Sequence, residues 1–177
     1  MQRIDLRDVL QRAVSDGYGD LVTRSTGQAV RAHIERALAS WDGDIPTVID
    51  FGTVRCLDLS CADEIVAKLL LQSGPDQTFV LAGVTDAHRD ALQPVLERHH
   101  LAVVSVDPTG RLDVLGALPE FARRAFTVVA EAGPMDAGTM AARLGVEDTE
   151  AHAALQQLVT YRLIEESVGG YRPLFAA

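Results

Sequence analysis

The sequence predicts an α/β unit followed by a small helical unit that ends in a hairpin, and three observations carry that prediction. From Asp20 to about Asp107, short apolar, β-branched runs alternate with stretches whose apolar residues recur at helical spacing, the pattern of helices packed on a sheet. From Leu118 the periodicity stays helical but changes rhythm. Near the end, Gly169-Gly170 stands between two short extended pieces, which is a hairpin signal. The first unit is expected over residues 1–110 and the second over 118–177, with Gly110 to Gly116 as a connector.

Element by element, the first twenty residues add a short strand or an amphipathic helix, since Leu6, Val9, Leu10 and Ala13 share a face. Leu21 to Arg24 reads as a strand, and Ser25 or Thr26 can cap a helix whose Val30, Ile34, Ala37 and Leu38 form one apolar face, with Gly43 marking its end region. Thr47 to Phe51 gives the central strand. Ser60 to Leu71 follows as a helix whose Ala62, Ile65, Val66, Leu69 and Leu70 make the buried stripe, closed by a turn at Ser73-Gly74-Pro75-Asp76. Thr78 to Val84 is a buried strand, Ala87 to His99 a helix with Ala91, Leu92, Val95 and Leu96 inward, and Leu101 to Val106 a further strand. In the second unit, Phe121, Ala125, Val128 and Val129 line a helix ended by Ala132-Gly133-Pro134. Ala137 to Leu144 is a short helix closed by Gly145, and Asp148 or Thr149 starts a third with Ala154, Leu155, Leu158 and Val159 inward.

Composition narrows the function classes. A chain of 177 residues can bury a proper core. No apolar run approaches the length of a membrane span and the N-terminus lacks the charged-then-apolar pattern of an export signal, so a cytoplasmic protein is expected. Cys56 and Cys61 are the only cysteines; their spacing resembles no zinc site, and both read as buried reduced thiols. The net charge of −9 opposes nucleic acid unless basic residues gather on one face. No cofactor or metal site is legible.

The most informative stretch is Thr47 to Leu71, where Ser60 sits at the start of a helix just after a buried strand. Asp58, Leu59 and Ser60 resemble the Asp, spacer and serine of the STAS domains of bacterial anti-sigma factor antagonists. Arg24, Asp50, Phe51, Ser60, Ala62, Asp63 and Glu64 are closer still to a group of STAS-like proteins of uncharacterised function. Two departures are Leu59, in place of a small polar residue, and Cys61, where glycine commonly follows the serine. The resemblance implies a STAS-like sheet with packed helices, a phosphoacceptor role for Ser60, and a partner that is a serine kinase of the histidine-kinase-like ATPase fold or an anti-sigma factor. The partner-binding residues would be Asp58, Ser60, Asp63, Glu64 and Arg24.

Plainer roles account for the same residues. Ser60-Cys61-Ala62-Asp63 fits an N-cap with a capping acid, and the free N–H groups of a helix start would also favour a phosphate there. Asp63 and Glu64 are ordinary first-turn acids, Glu64 making an i,i+4 pair with Lys68, or they form an acidic rim around Ser60. Arg24 pairs with Asp50, pairs with an acid near Ser60, or faces water.

The second unit resembles the winged helix-turn-helix domains of bacterial regulators, on Met140 to Val146 for the second helix and turn and on Leu155, Leu158, Leu163-Ile164 and Gly169-Gly170-Tyr171 for the recognition helix and wing. Its DNA-contact candidates are Arg143, Gln156, Gln157, Arg162 and Arg172. From Leu118 onward, however, five arginines face eight acids, and phosphate contacts usually dominate DNA affinity. One copy should bind DNA poorly, although a homodimer could bring Arg143, Arg162 and Arg172 together from two copies. No catalytic constellation is visible: His33, His88, His99, His100 and His152 are scattered, His99-His100 suits a helix C-terminus, and Gly17-Tyr18-Gly19 lacks the rest of a phosphate loop. The function expected is a non-enzymatic regulatory switch, a STAS-like partner-binding module joined to a winged-helix output. The alternative is a ligand-sensing or dimerising DNA-binding regulator.

Overall fold

The computed structural model describes residues 2–13, 20–40 and 45–175; Gly17-Tyr18-Gly19 and Gly43 lie outside the described residues, as does the side chain of Ala13. The chain is mixed α/β. The N-terminal stretch forms both of the elements expected as alternatives, strand β1 (Gln2–Asp5) and helix α1 (Leu6–Ala13). Then come β2 (Asp20–Leu21), α2 (Arg24–Leu38), β3 (Thr47–Asp50) and β4 (Cys56–Leu57). A single helical stretch follows, made of α3 (Leu59–Ala62), a π-helical turn (Asp63–Ala67) and α4 (Lys68–Gln72). Next are β5 (Phe79–Ala82), α5 (Asp86–Arg98), β6 (Ala102–Val106) and β7 (Leu112–Gly116). Three helices, α6 (Glu120–Ala132), α7 (Ala137–Leu144) and α8 (Asp148–Thr160), lead into the hairpin β8 (Ile164–Ser167) and β9 (Gly170–Pro173).

The main sheet has five strands in the order β1-β3-β5-β6-β7, parallel except for the last pair, and β2-β4 form a short parallel pair of their own. Gly110 to Gly116 is therefore not a connector. Leu112 to Gly116 is the edge strand, with Val114 and Leu115 buried on opposite faces. Its loop-like look comes from Gly110, Arg111 and Asp113 around a short apolar core. Gly116, at φ 97°, allows the backbone to turn where a Cβ would lie 2.1 Å from the Leu101 carbonyl oxygen. Arg123 of α6 donates to the carbonyls of Val114 and Gly116, which ties the helix to this edge.

Successive strand residues supply two separate cores. Ile49, Phe79, Leu81, Val103 and Leu115 face α1 to α5, while Val48, Val80, Val104, Val106 and Val114 face the other way. The second set packs with Phe126, Val129, Leu155 and Leu158, so the C-terminal helices cover the sheet's second face. On α6 the buried residues are Ala122, Ala125, Phe126 and Val129, whereas Phe121 and Val128, expected inward, are half-buried.

Caps set the helix starts, and two differ from expectation. Thr23, not Ser25 or Thr26, caps α2, so the strand expected over Leu21 to Arg24 shortens to Asp20–Leu21. Asp58, not Ser60, caps the Leu59–Gln72 stretch. Thr85 caps α5 in a reciprocal arrangement with His88. Two helices end on non-glycine residues in the left-handed region, His100 (φ 54°) after α5 and Arg162 (φ 57°) after α8. Each such position costs about 1 kcal/mol relative to glycine. Among the described residues no helix is long and apolar enough to cross a membrane.

A chain truncated after Gly116 would expose the valine face of the sheet. We expect it to be clearly less stable than the full chain in urea unfolding and to associate; a soluble, equally stable fragment would show that the second core contributes little.

Candidate functional site

The Ser60 region lies at the C-terminal edge of the parallel strands, where α2 and the Leu59–Gln72 stretch both begin. Asp58 is its centre. One carboxylate oxygen accepts from the Cys61 N–H at 2.7 Å and the Ser60 hydroxyl at 2.8 Å, and the other accepts from the Thr23 N–H at 3.0 Å. The Asp58 N–H in turn donates to the Leu21 carbonyl. Burial works to raise the Asp58 carboxyl, but the N–H groups of Thr23 and Cys61 and the Ser60 hydroxyl outweigh it and hold the group below the usual carboxylate range.

Thr23 is the strained member. It is β-branched yet sits at φ 80°, a conformation that persists only when its surroundings over-determine it. Its N–H goes to Asp58, its carbonyl accepts from the Gly27 N–H and the Cys61 thiol, and its hydroxyl meets Ser25 and Thr26. Sequence reasoning missed Thr23, because positive φ in a threonine carries no sequence signal. Beside it, Val22 and Leu59 leave apolar side chains in solvent, 44 % and 56 % exposed, flanking the Asp58 and Ser60 side chains. Leu59 was legible as the departure from a small polar residue.

Asp63 and Glu64 do not form a solvated rim. Glu64 is fully buried. Its Oε1 accepts from Arg24 at 2.8 Å, Lys68 at 2.5 Å and Gln28 at 3.4 Å, and its Oε2 lies 3.5 Å from Arg31 Nε without a hydrogen bond. Asp63 pairs with Arg24 at 3.1 Å and with His99 at 2.8 Å. Burial works to raise both acids, but hydrogen bonds from Lys68 and Arg24 to Glu64, and from His99 and Arg24 to Asp63, hold them low. The same bonds, Asp63 first, raise the Arg24 guanidinium above its ordinary value. Of the alternatives for Arg24, the pair with acids near Ser60 is the one formed; Asp50 belongs instead to Arg3, at 2.5 Å.

What buries Glu64 is the π-helical turn together with Gly27. The turn's wider spacing rotates Glu64 and Ala67 inward with Ile65 and Val66. At Gly27 a Cβ would lie 2.9 Å from the Glu64 Cβ and 3.1 Å from the Cys61 Cα, so α2 crosses at a distance only glycine permits. Cys61 is buried, and desolvation followed by the Asp58 charge pushes its thiol up to about 12. Cys56, expected buried, is exposed.

The C-terminal candidates are largely occupied. Arg162 donates to the carbonyls of Gly74 (2.8 Å) and Gln77 (3.1 Å), reaching back to the loop before β5. Arg172 pairs with Glu165 at 2.7 Å, and Gln156 donates to the Tyr171 hydroxyl at 2.9 Å and towards Glu166. Gln157 is half-buried, and Arg143 is exposed. Glu147, Asp148 and Glu150 stand exposed at the start of α8. Among the described residues no group of three or more His, Cys, Asp or Glu is arranged to hold a metal ion.

Two predictions follow from these geometries. Glu64→Gln removes the buried anion shared by Arg24, Lys68 and Arg31, each of which keeps a second acid in Asp63 or Glu35; the cost should be about 3 kcal/mol, the low end for a broken buried pair. Chemical denaturation of the two proteins at neutral pH measures it directly. His88, buried against Val54 and Phe51, donates from Nε2 to the Val54 carbonyl and accepts at Nδ1 from the Thr85 N–H, so it is held neutral and burial lowers its pKa from 6.5. The folded state resists a proton that the unfolded state takes up, so this contribution is complete above pH 6.5 and is lost as pH falls below it. The unfolding midpoint should therefore drop as pH falls below 6.5 in the wild type and more shallowly in His88→Gln.

No protein-family model, curated protein or solved structure matches the chain.

Proposed function

We propose that the chain is a non-enzymatic regulatory switch whose Ser60 face binds a protein partner, with the C-terminal helices and hairpin acting as a winged-helix output. The observation that carries this reading is the Asp58 carboxylate, which holds the Ser60 hydroxyl and the starts of two helices in one network beside exposed Val22 and Leu59. Apolar side chains bordering a satisfied polar cluster suit a protein surface. The STAS-like resemblance supports the same face and suggests a serine kinase of the histidine-kinase-like ATPase fold or an anti-sigma factor as partner.

Phosphorylation of Ser60 fits this network as a release step. The modification would put about −1.5 to −2 charges against Asp58, ending the hydroxyl bond and repelling the carboxylate that anchors Thr23 and Cys61. Catalysis is disfavoured by the partners present: the Ser60 hydroxyl meets a carboxylate rather than a histidine, and the Cys61 thiol is held protonated. For the output, protein contact is favoured over DNA. The acids at the start of α8 oppose phosphate, and Arg172 and Gln156 are spent on contacts within the chain.

The test uses the full chain as bait after nuclease treatment, in wild-type, Ser60→Ala, Ser60→Glu, Leu59→Asp and Val168→Asp forms, the last altering the exposed hairpin tip. A partner held by wild type, Ser60→Ala and Val168→Asp should lose roughly tenfold or more in affinity with Ser60→Glu and Leu59→Asp, each still folded by circular dichroism. Equal retention by Ser60→Glu would remove the switch. Loss with Val168→Asp alone would move the interface to the hairpin, and salt-sensitive binding of DNA fragments would favour the DNA-binding alternative.

A further inference from the structure

We propose that a second site, on the opposite edge of the sheet from Ser60, binds a small monocarboxylate with an apolar body. A cleft of about 140 Å³ lies where the N-terminal ends of β5 and β6 meet the C-terminal end of α8. That is the size at which a protein cavity admits a body about as large as benzene. Clefts between packed units are frequent ligand sites.

The chemistry of the lining selects the ligand. Leu70, Phe79 and Val103 give an apolar floor, while His100, Tyr161 and Arg162 bring polar groups to the rim. Among the described residues no carboxylate lines the cleft, in a chain with 25 acids and a net charge of −9. Arg162 uses only Nη1 for its bonds to Gly74 and Gln77; Nη2 and Nε make no hydrogen bond among the described residues. Half of the guanidinium fork is thus open to the paired oxygens of a carboxylate.

The backbone provides the second, independent argument. Two of the three rim residues, His100 and Arg162, sit in the left-handed conformation just past a helix end, where the chain folds back through Leu101 N–H to the Leu96 carbonyl and Leu163 N–H to the Leu158 carbonyl. Glycine is the residue favoured at such a position. Two separate helices instead end on a histidine and an arginine, and both line the same cleft. Helix termination alone accounts for neither side chain. Because the lining comes from the sheet and from the end of α8, a bound carboxylate would clamp the C-terminal helices to the sheet.

Benzoate and its uncharged counterpart benzamide, titrated into the full-length protein, test the site by calorimetry and by amide chemical-shift mapping. Benzoate should bind saturably with one site, shifting the amides of Leu101 to Val103 and Thr160 to Arg162, and benzamide should bind roughly tenfold more weakly. His100→Gly should raise the thermal unfolding midpoint of the free protein, because it relieves the backbone, and yet weaken benzoate several-fold. Arg162→Asn, which suits the backbone conformation, should erase the preference for benzoate. Absence of saturable binding, shifts confined to other residues, equal affinity for both compounds, or wild-type affinity in both variants would overturn the proposal.

Discussion

Everything in this structure depends on a sheet that is apolar on both faces. Val48, Val80, Val104 and Val114 alternate with Ile49, Leu81, Val103 and Leu115, so neither face can be left in water. Helices α1 to α5 cover one face, and the three C-terminal helices the other. Fully burying one such side chain stabilises by about 1.5–3 kcal/mol, and the second face carries several of them. The C-terminal helices are therefore part of the core and not an appendage on a linker. Their docking in turn places Arg162 against the loop before β5, where it donates to the Gly74 carbonyl.

The docking explains which parts of the fold could be read from the sequence. Runs such as Phe79-Val80-Leu81-Ala82 and Val103-Val104 are continuous rather than alternating, which is the mark of a strand covered on both sides. Most helices were equally legible, since Gly133 and Gly145 stop α6 and α7 as glycines past a helix end do. The edge strand β7 was not. Five residues, two of them Asp113 and Gly116, give too weak a pattern, and it is held by its pairing with β6 and by Arg123, which are tertiary facts.

The Ser60 region was legible in outline and illegible in detail for a related reason. Asp58, Ser60 and Arg24 fall within one region, and the Glu64–Lys68 spacing announces its ion pair. A helical period of 3.6 leaves Glu64 on the solvent side, and only the wider π-helical turn brings it inside. Gly27 completes the burial, and nothing in the sequence of α2 says which helix will cross there. The caps misled in the same way. Ser60, Asp58, Thr23, Ser25 and Thr26 are all competent caps, and the choice among them was made by the contact of Thr23 N–H with Asp58 across 35 residues of chain.

The stretch from Leu59 to Gln72 connects the two sites. Ser60 lies at its first turn, in the Asp58 network, and Leu70 near its end forms part of the floor of the Arg162 cleft. Between them stands the π-helical turn, whose wider spacing sets the rotation of the segment that follows. A uniform α-helix would leave Glu64 on the solvent side. Glu64, the second residue of that turn, is fixed there by Arg24, Lys68 and Gln28, so this ion cluster holds the register of the stretch. Its position makes the buried carboxylate the point where α2, through Arg24 and Gln28, is fastened to the Leu59–Gln72 stretch.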